Sequence, residues 1–179
     1  MPLWTAPTTP AADRARAEHT TITGAAPAHV ASAPATWSLI GEHIDHFGGV
    51  TIMGLNDMRA AVAVGPRTDG TVRVHCHHAD GTTSEETITL DQVSALAAEQ
   101  QPTVDEEGQP IEPPAPQGGL AARLGGIIHT MINRQLLTRD TAGADITVVT
   151  DIPATAGLGA AAAIDVATAL ALLGDADDP

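Results

Sequence analysis

The sequence has 179 residues, with eight Arg and no Lys against 22 Asp and Glu, for a formal charge of -14. That balance argues against nucleic acid and anionic membrane surfaces as partners. Hydrophobic residues make up 43%, with one Phe, two Trp and no Tyr, so the core must be built from Ala, Val, Leu and Ile. Small side chains bury little area each, and such a core is thin for its length. Cys76 is the only cysteine, which rules out an intrachain disulfide and fits a reducing interior. The first twenty residues lack a basic start followed by an apolar run, so no signal peptide is expected. No stretch reaches the roughly 18 apolar residues of a membrane span. A soluble, cytoplasmic chain is the expectation.

In chain order, residues 1–12 are rich in Pro, Thr and Ala and read as a loose arm. Residues 13–22 suit a short helix with Asp13 near its start. From residue 27 a Pro-punctuated segment runs into Thr36-Trp37-Ser38-Leu39-Ile40, which suits a strand. Ala60–Gly65 reads as a second strand, and Asp69-Gly70 as a hairpin-type turn. Val72, Val74 and Cys76 alternate with Arg73, His75 and His77, the pattern of a half-buried strand. Asp80-Gly81 marks another turn, Glu85–Leu90 another strand, and Asp91 is the expected cap of a helix through Glu99.

Residues 102–118, with five Pro and four acidic residues, read as a flexible, solvated insertion. Leu120–Leu137 has helical apolar spacing and reads as an amphipathic helix. Ile146–Val149 suits a strand, Asp151–Gly159 a loop, and Ala160–Leu173 an Ala-rich, largely buried helix. The expected organisation is an arm and short helix over 1–26, one α+β domain with a mixed sheet over 27–174, and an acidic tail over 175–179.

Two segments carry chemistry. In Leu39-Ile40-Gly41-Glu42-His43-Ile44-Asp45-His46-Phe47-Gly48-Gly49, two carboxylates and two histidines lie within five residues, between glycines. Carboxylates make strong directional hydrogen bonds to sugar hydroxyls, and glycines let backbone approach a ligand closely. A short charged loop alone would more simply be a solvated turn. In Asp151-Ile152-Pro153-Ala154-Thr155-Ala156-Gly157-Leu158-Gly159-Ala160-Ala161-Ala162-Ala163, a strand leads through a Gly-containing loop into a helix. That geometry aims free N–H groups and the positive helix end at an anion. The Gly-Lys-Ser/Thr ending of a Walker loop is absent.

The first segment resembles the galactokinase signature, with Glu42, His43, Asp45, Gly48 and Gly49 on matching positions. The second resembles the phosphate loop of the GHMP kinases, the superfamily containing galactokinase, with Pro153, Gly157, Leu158 and Ala162 fitting. The resemblance spans roughly residues 27–173. It implies the GHMP N-terminal fold, a galactose or related-sugar substrate, and ATP with Mg²⁺ for phosphoryl transfer to the sugar's C1 hydroxyl in galactose metabolism. Three departures stand against turnover. Thr36 stands where the family has Arg, and a short neutral side chain cannot replace a guanidinium. Gly159, Ala160 and Ala161 stand where the family has serines that help hold Mg²⁺ and phosphate. The family's catalytic Asp, with much of its C-terminal domain, falls beyond Pro179. No catalytic residue is therefore assigned here. Three readings stay open: the N-terminal part of an active galactokinase, a sugar-binding relative without turnover, or a truncated product.

Other candidates are blander. His75-Cys76-His77-His78 looks like a metal cluster, but strand alternation turns His75 and His77 away from Cys76, and no metal site is assigned. Trp4 and Trp37 read as core or packing residues, Asp105–Glu107 as solvated linker, and Asp175–Asp178 as a charged tail. A thin domain that leaves apolar surface uncovered is expected to self-associate.

Overall fold

Strands with period-two burial alternate with helices whose apolar faces need covering, and the result is a mixed sheet with helices on both sides. The computed structural model describes residues 7–41, 44, 47–105 and 107–174. The elements are α1 (Ala11–Thr23), β1 (His29–Ile40), β2 (Ile52–Pro66), β3 (Thr71–His77), β4 (Thr83–Thr89), α2 (Leu90–Glu99), β5 (Thr103–Val104), β6 (Pro110–Ile111), α3 (Leu120–Asn133), β7 (Ala144–Thr150) and α4 (Ala160–Leu173). The main sheet has the order β1-β2-β7-β3-β4, with β3 and β7 parallel and the other neighbours antiparallel. The class is α+β. Among the described residues no helix is long and apolar enough to cross a membrane.

Alternation divides the core in two. Ala60, Val62, Val74, Cys76, Ile146 and Val148 face α3 and α4, where Leu124, Ile128, Ile164 and Ala167 meet them. Ala61, Ala63 and Val149 point the other way and meet Ala11 and Ala15 of α1. Strands β2 and β7 are thus covered on both sides, which is why their burial runs unbroken where β3 alternates. The facing alanines let α1 sit close to the sheet. Within the helical layer, Gly125 of α3 meets Val93 of α2 so closely that a Cβ there would lie 2.7 Å from Val93 Cγ2.

Several boundaries differ from the sequence expectations. β1 and β2 are longer, because their outer halves continue to pair with each other beyond the core, Trp37 opposite Gly54 and Ile40 opposite Ile52. β1 is an edge strand, so Pro34 is tolerated at its register shift. The first helix begins at Ala11, whose side chain is buried, so the arm is shorter than residues 1–12. Helix α2 is capped by Thr89 and not by Asp91. Thr89 Oγ1 accepts from Gln92 N at 3.1 Å, and Gln92 Oε1 accepts from Thr89 N at 3.0 Å, a reciprocal box that fixes the first turn. Helix α3 stops at Asn133, four residues short of Leu137. Gln135 turns to φ 61, and the N–H groups of Leu136 and Leu137 fold back to Met131 O. The acidic insertion is exposed as expected, yet it holds the small β5–β6 ladder, tied by Asp105 accepting from Glu107 N and Gln109 N.

Candidate functional site

The site is built where the outer half of β1 meets the loop between β7 and α4. Thr36 N donates to Leu158 O at 3.1 Å. Its side chain rests against Gly159, where a Cβ would lie 2.3 Å from Thr36 Oγ1. Gly159 has φ 65, so two constraints demand glycine there, the left-handed backbone and the absence of space. Thr36 therefore packs on the loop that opens α4, a short side chain filling the gap where the resemblance implies a guanidinium.

The loop is anchored at its base and free at its tip. Asp151 N donates to Arg59 O at 3.0 Å. The Asp151 carboxylate accepts two bonds of 2.7 Å from one Arg14 guanidinium nitrogen, across 137 residues of sequence. Ile152 is buried, and its N–H bonds Thr150 Oγ1 at 3.1 Å. Ala154–Gly157 are exposed. No side chain caps α4 at Gly159. Its first N–H groups, at Ala160, Ala161 and Ala162, lie ahead of any intrahelical acceptor and face outward with the positive end of the helix. Beside this end runs a cleft of about 690 Å³, bounded by Pro153, Thr155 and Ala161 on one side and by His78, Asp80 and Arg123 on the other.

Beyond Thr36, β1 ends at Ile40 and the chain turns at Gly41, φ 94, where a Cβ would press within 2.9 Å of Thr51 Cα and 2.8 Å of Val50 O. Ile44 N bonds Gly41 O, and Phe47 N bonds Ile44 O. Gly48 is at φ 71 in open space, whereas Gly49 is at φ 157 and packs on Ile44. Glu42, His43 and Asp45 lie outside the described residues, as does Trp4. Phe47, Val50, Ile52, Met53 and Leu55 form an exposed apolar stretch around this turn, with Phe47 90% and Leu55 71% exposed. Trp37 is 40% exposed and lies over Gly54, which has no side chain to block the indole.

The structure brings Thr36, Leu158 and Gly159 together and places the N-terminus of α4 beside them. In the histidine run, Cys76 points into the core while His75 and His77 occupy the opposite face. His75 faces Glu85 at 3.6 Å and His77 faces Glu18 at 3.8 Å. Burial pushes the Cys76 thiol up to about 11. His78 bridges Cys76 Sγ at 3.6 Å and Ser84 Oγ at 3.0 Å. Sequence reasoning missed Arg14 and Arg123. Arg123 pairs with Asp165 of α4 at the edge of the cleft. Neither residue sits in a local motif, and only tertiary folding gives each its partner.

Residues 17–66 match the galactokinase galactose-binding signature. A galactokinase of Streptomyces coelicolor is 32% identical over 150 residues, covering 83% of this chain and 32% of that protein. Among solved structures, Lactococcus lactis galactokinase complexed with galactose aligns with TM-score 0.60 at 19% identity, over 93% of this chain and 38% of that one. Methanococcus jannaschii mevalonate kinase aligns with TM-score 0.55 at 16% identity, over 85% of this chain and 42% of that one. The chain thus spans about a third of the length of the curated galactokinase that it matches. The signature, the curated relative and the shared fold all point the same way, a likeness to the N-terminal portion of a galactokinase.

Proposed function

We propose that this chain carries the sugar-recognition and phosphate-loop part of a galactokinase, and that its own residues favour binding galactose or a related sugar over phosphoryl transfer. The observation that carries the reading is the bond from Thr36 N to Leu158 O, which joins the strand entering the signature to the loop that opens α4. In this reading Glu42, His43 and Asp45 bind sugar hydroxyls, with Gly48 and Gly49 giving the backbone its close approach. Pro153, Gly157, Leu158 and Gly159 shape the loop, and the N–H groups of Ala160, Ala161 and Ala162 face the phosphates of ATP.

The uncapped N-terminus of α4 fits an anion. It does not fit Mg²⁺, because Gly159, Ala160 and Ala161 offer no side-chain oxygen. Mg²⁺-assisted transfer would therefore lack the hydroxyls that the family's serines supply, and Thr36 supplies no charge to the reacting hydroxyl. Phosphoryl transfer rests on positioning and charge stabilisation, so both losses fall on its main terms. The second reading, sugar binding without turnover in a sensing or regulatory role, is favoured by the same four residues, Thr36, Gly159, Ala160 and Ala161. In this reading the chain works in the cytoplasm in galactose metabolism, a setting with which a lone cysteine is compatible.

Calorimetric titration of the 179-residue chain with galactose tests the reading. Binding should appear and be weakened by Asp45→Ala. ADP release with ATP and Mg²⁺ should not exceed the no-sugar control, since removal of one well-placed electrostatic group commonly costs ~10²–10³-fold. Galactose-dependent ADP release would refute the loss of turnover. Tight ATP binding without sugar binding would overturn the sugar-recognition reading.

A further inference from the structure

Helix α1 lies outside both motifs, yet it holds the base of the phosphate loop. Arg14 grips Asp151 with two bonds of 2.7 Å, and it stands between Ala11 and Ala15, which meet the alanines of β2. One turn further on, His19 is 1% exposed and sealed between helix and sheet. Its Nδ1 lies 3.0 Å from Thr147 Oγ1 of β7. Its Nε2 presses on Gly65 of β2, where a Cβ would lie 2.8 Å away.

We propose that α1 positions the phosphate loop through Arg14, and that protonation of His19 releases α1 from the sheet and frees the loop. An imidazolium in this slot would be a buried charge with one neutral hydroxyl and a glycine as its neighbours. The surrounding charges do not rescue it. Asp145 of β7, the nearest carboxylate in effect, is already engaged by Arg67 at 3.0 Å and by Arg73 of β3 at 2.7 Å. Glu18 of α1 faces His77, and Glu85 of β4 faces His75. Arg73 and His75 themselves oppose a charge on His19. Burial is the largest cause, and it holds the ring below its ordinary 6.5. The sign follows. Docking is fully present above pH 6.5, weakens as the released helix takes up the proton, and is lost as pH falls through the depressed value. If only the released form binds the proton, the docking constant falls about tenfold between pH 7.5 and pH 5.5.

The inference concerns the loop's opening and stands apart from the reading of activity above, because amide exchange reads it without catalysis. Exchange of the whole chain, corrected for the intrinsic pH dependence, should show α1 and residues 151–159 losing protection together by about tenfold over that range. His19→Asn keeps an amide for Thr147 but cannot titrate, and it should flatten the profile. Arg14→Gln should leave the pH response of α1 and uncouple residues 151–159 from it. A His19→Asn profile equal to that of the parent, or loop protection that ignores the opening of α1, overturns the proposal. Imidazole chemical shifts of the parent chain give a second readout if the variant does not fold. His19 should stay neutral while α1 is protected, and titration near 6.5 with α1 still protected also overturns it.

Discussion

Replacing Gly159 by Ala should destabilise the fold through two separable effects. The first is backbone strain, since a non-glycine residue in the left-handed region costs roughly 1–2 kcal/mol. The second is a collision, because the new Cβ would lie 2.3 Å from Thr36 Oγ1. Forcing an atom into so full a site costs roughly 1–3 kcal/mol. Thr36→Ala removes that oxygen, and the next Thr36 side-chain atom, Cβ, is 3.6 Å away, an ordinary contact. The double variant should therefore recover the collision part and keep the strain part. Urea unfolding of parent, both single variants and the double variant, followed by far-ultraviolet circular dichroism, gives the coupling as a closed cycle. A coupling of about 1–3 kcal/mol in favour of the double variant is expected. Strict additivity would refute the packing of Thr36 on the loop. An unchanged midpoint for Gly159→Ala would refute the left-handed cap of α4 as well.

Thr89→Ala should cost about 0.5–2 kcal/mol by opening the capping box of α2, and Asp91→Ala should cost less; the reverse order in urea midpoints would return the cap to Asp91. Cys76 should resist thiol-reactive dyes at pH 8 in the folded chain and react on unfolding, because burial raises its thiol to about 11; rapid native labelling would contradict the packing of β3. The chain should self-associate through the apolar stretch around residues 47–55, so Phe47→Ser with Leu55→Ser should shift sedimentation toward monomer without lowering the urea midpoint, and an unchanged distribution would place the association elsewhere.

Much of the fold was legible because it rests on local periodicity. Val72, Val74 and Cys76 announce a strand by alternation, and the same alternation turns His75 and His77 onto the other face. Thr89 was passed over because the cap sits inside the apparent strand, where its β-forming side chain masks its second role. Helix α3 was read too far because Leu136 and Leu137 continue the apolar count, whereas the terminating turn at Gln135 is a backbone event with no glycine to mark it. Both chemical segments stand out through unusual density of polar or small residues. The grip of Arg14 on Asp151 does not, since an arginine on an acidic protein's first helix has no local signature, and its partner is chosen by how α1 crosses the sheet.

Trp37 lies flat across Gly54 and next in sequence to Thr36, whose N–H bonds Leu158 in the loop before α4. The indole is thus an intrinsic optical probe placed at the seam between the two motifs. Its half-open setting leaves the emission maximum free to move either way, bluer if a ligand covers the end of β1 and redder if the hairpin with β2 loosens. In a Trp4→Phe background that signal would come from one side chain. The glycine at position 54 then acquires a second significance: it keeps the reporter rigid against the strand, so its anisotropy would follow the tumbling of the sheet and not local rotation of the ring.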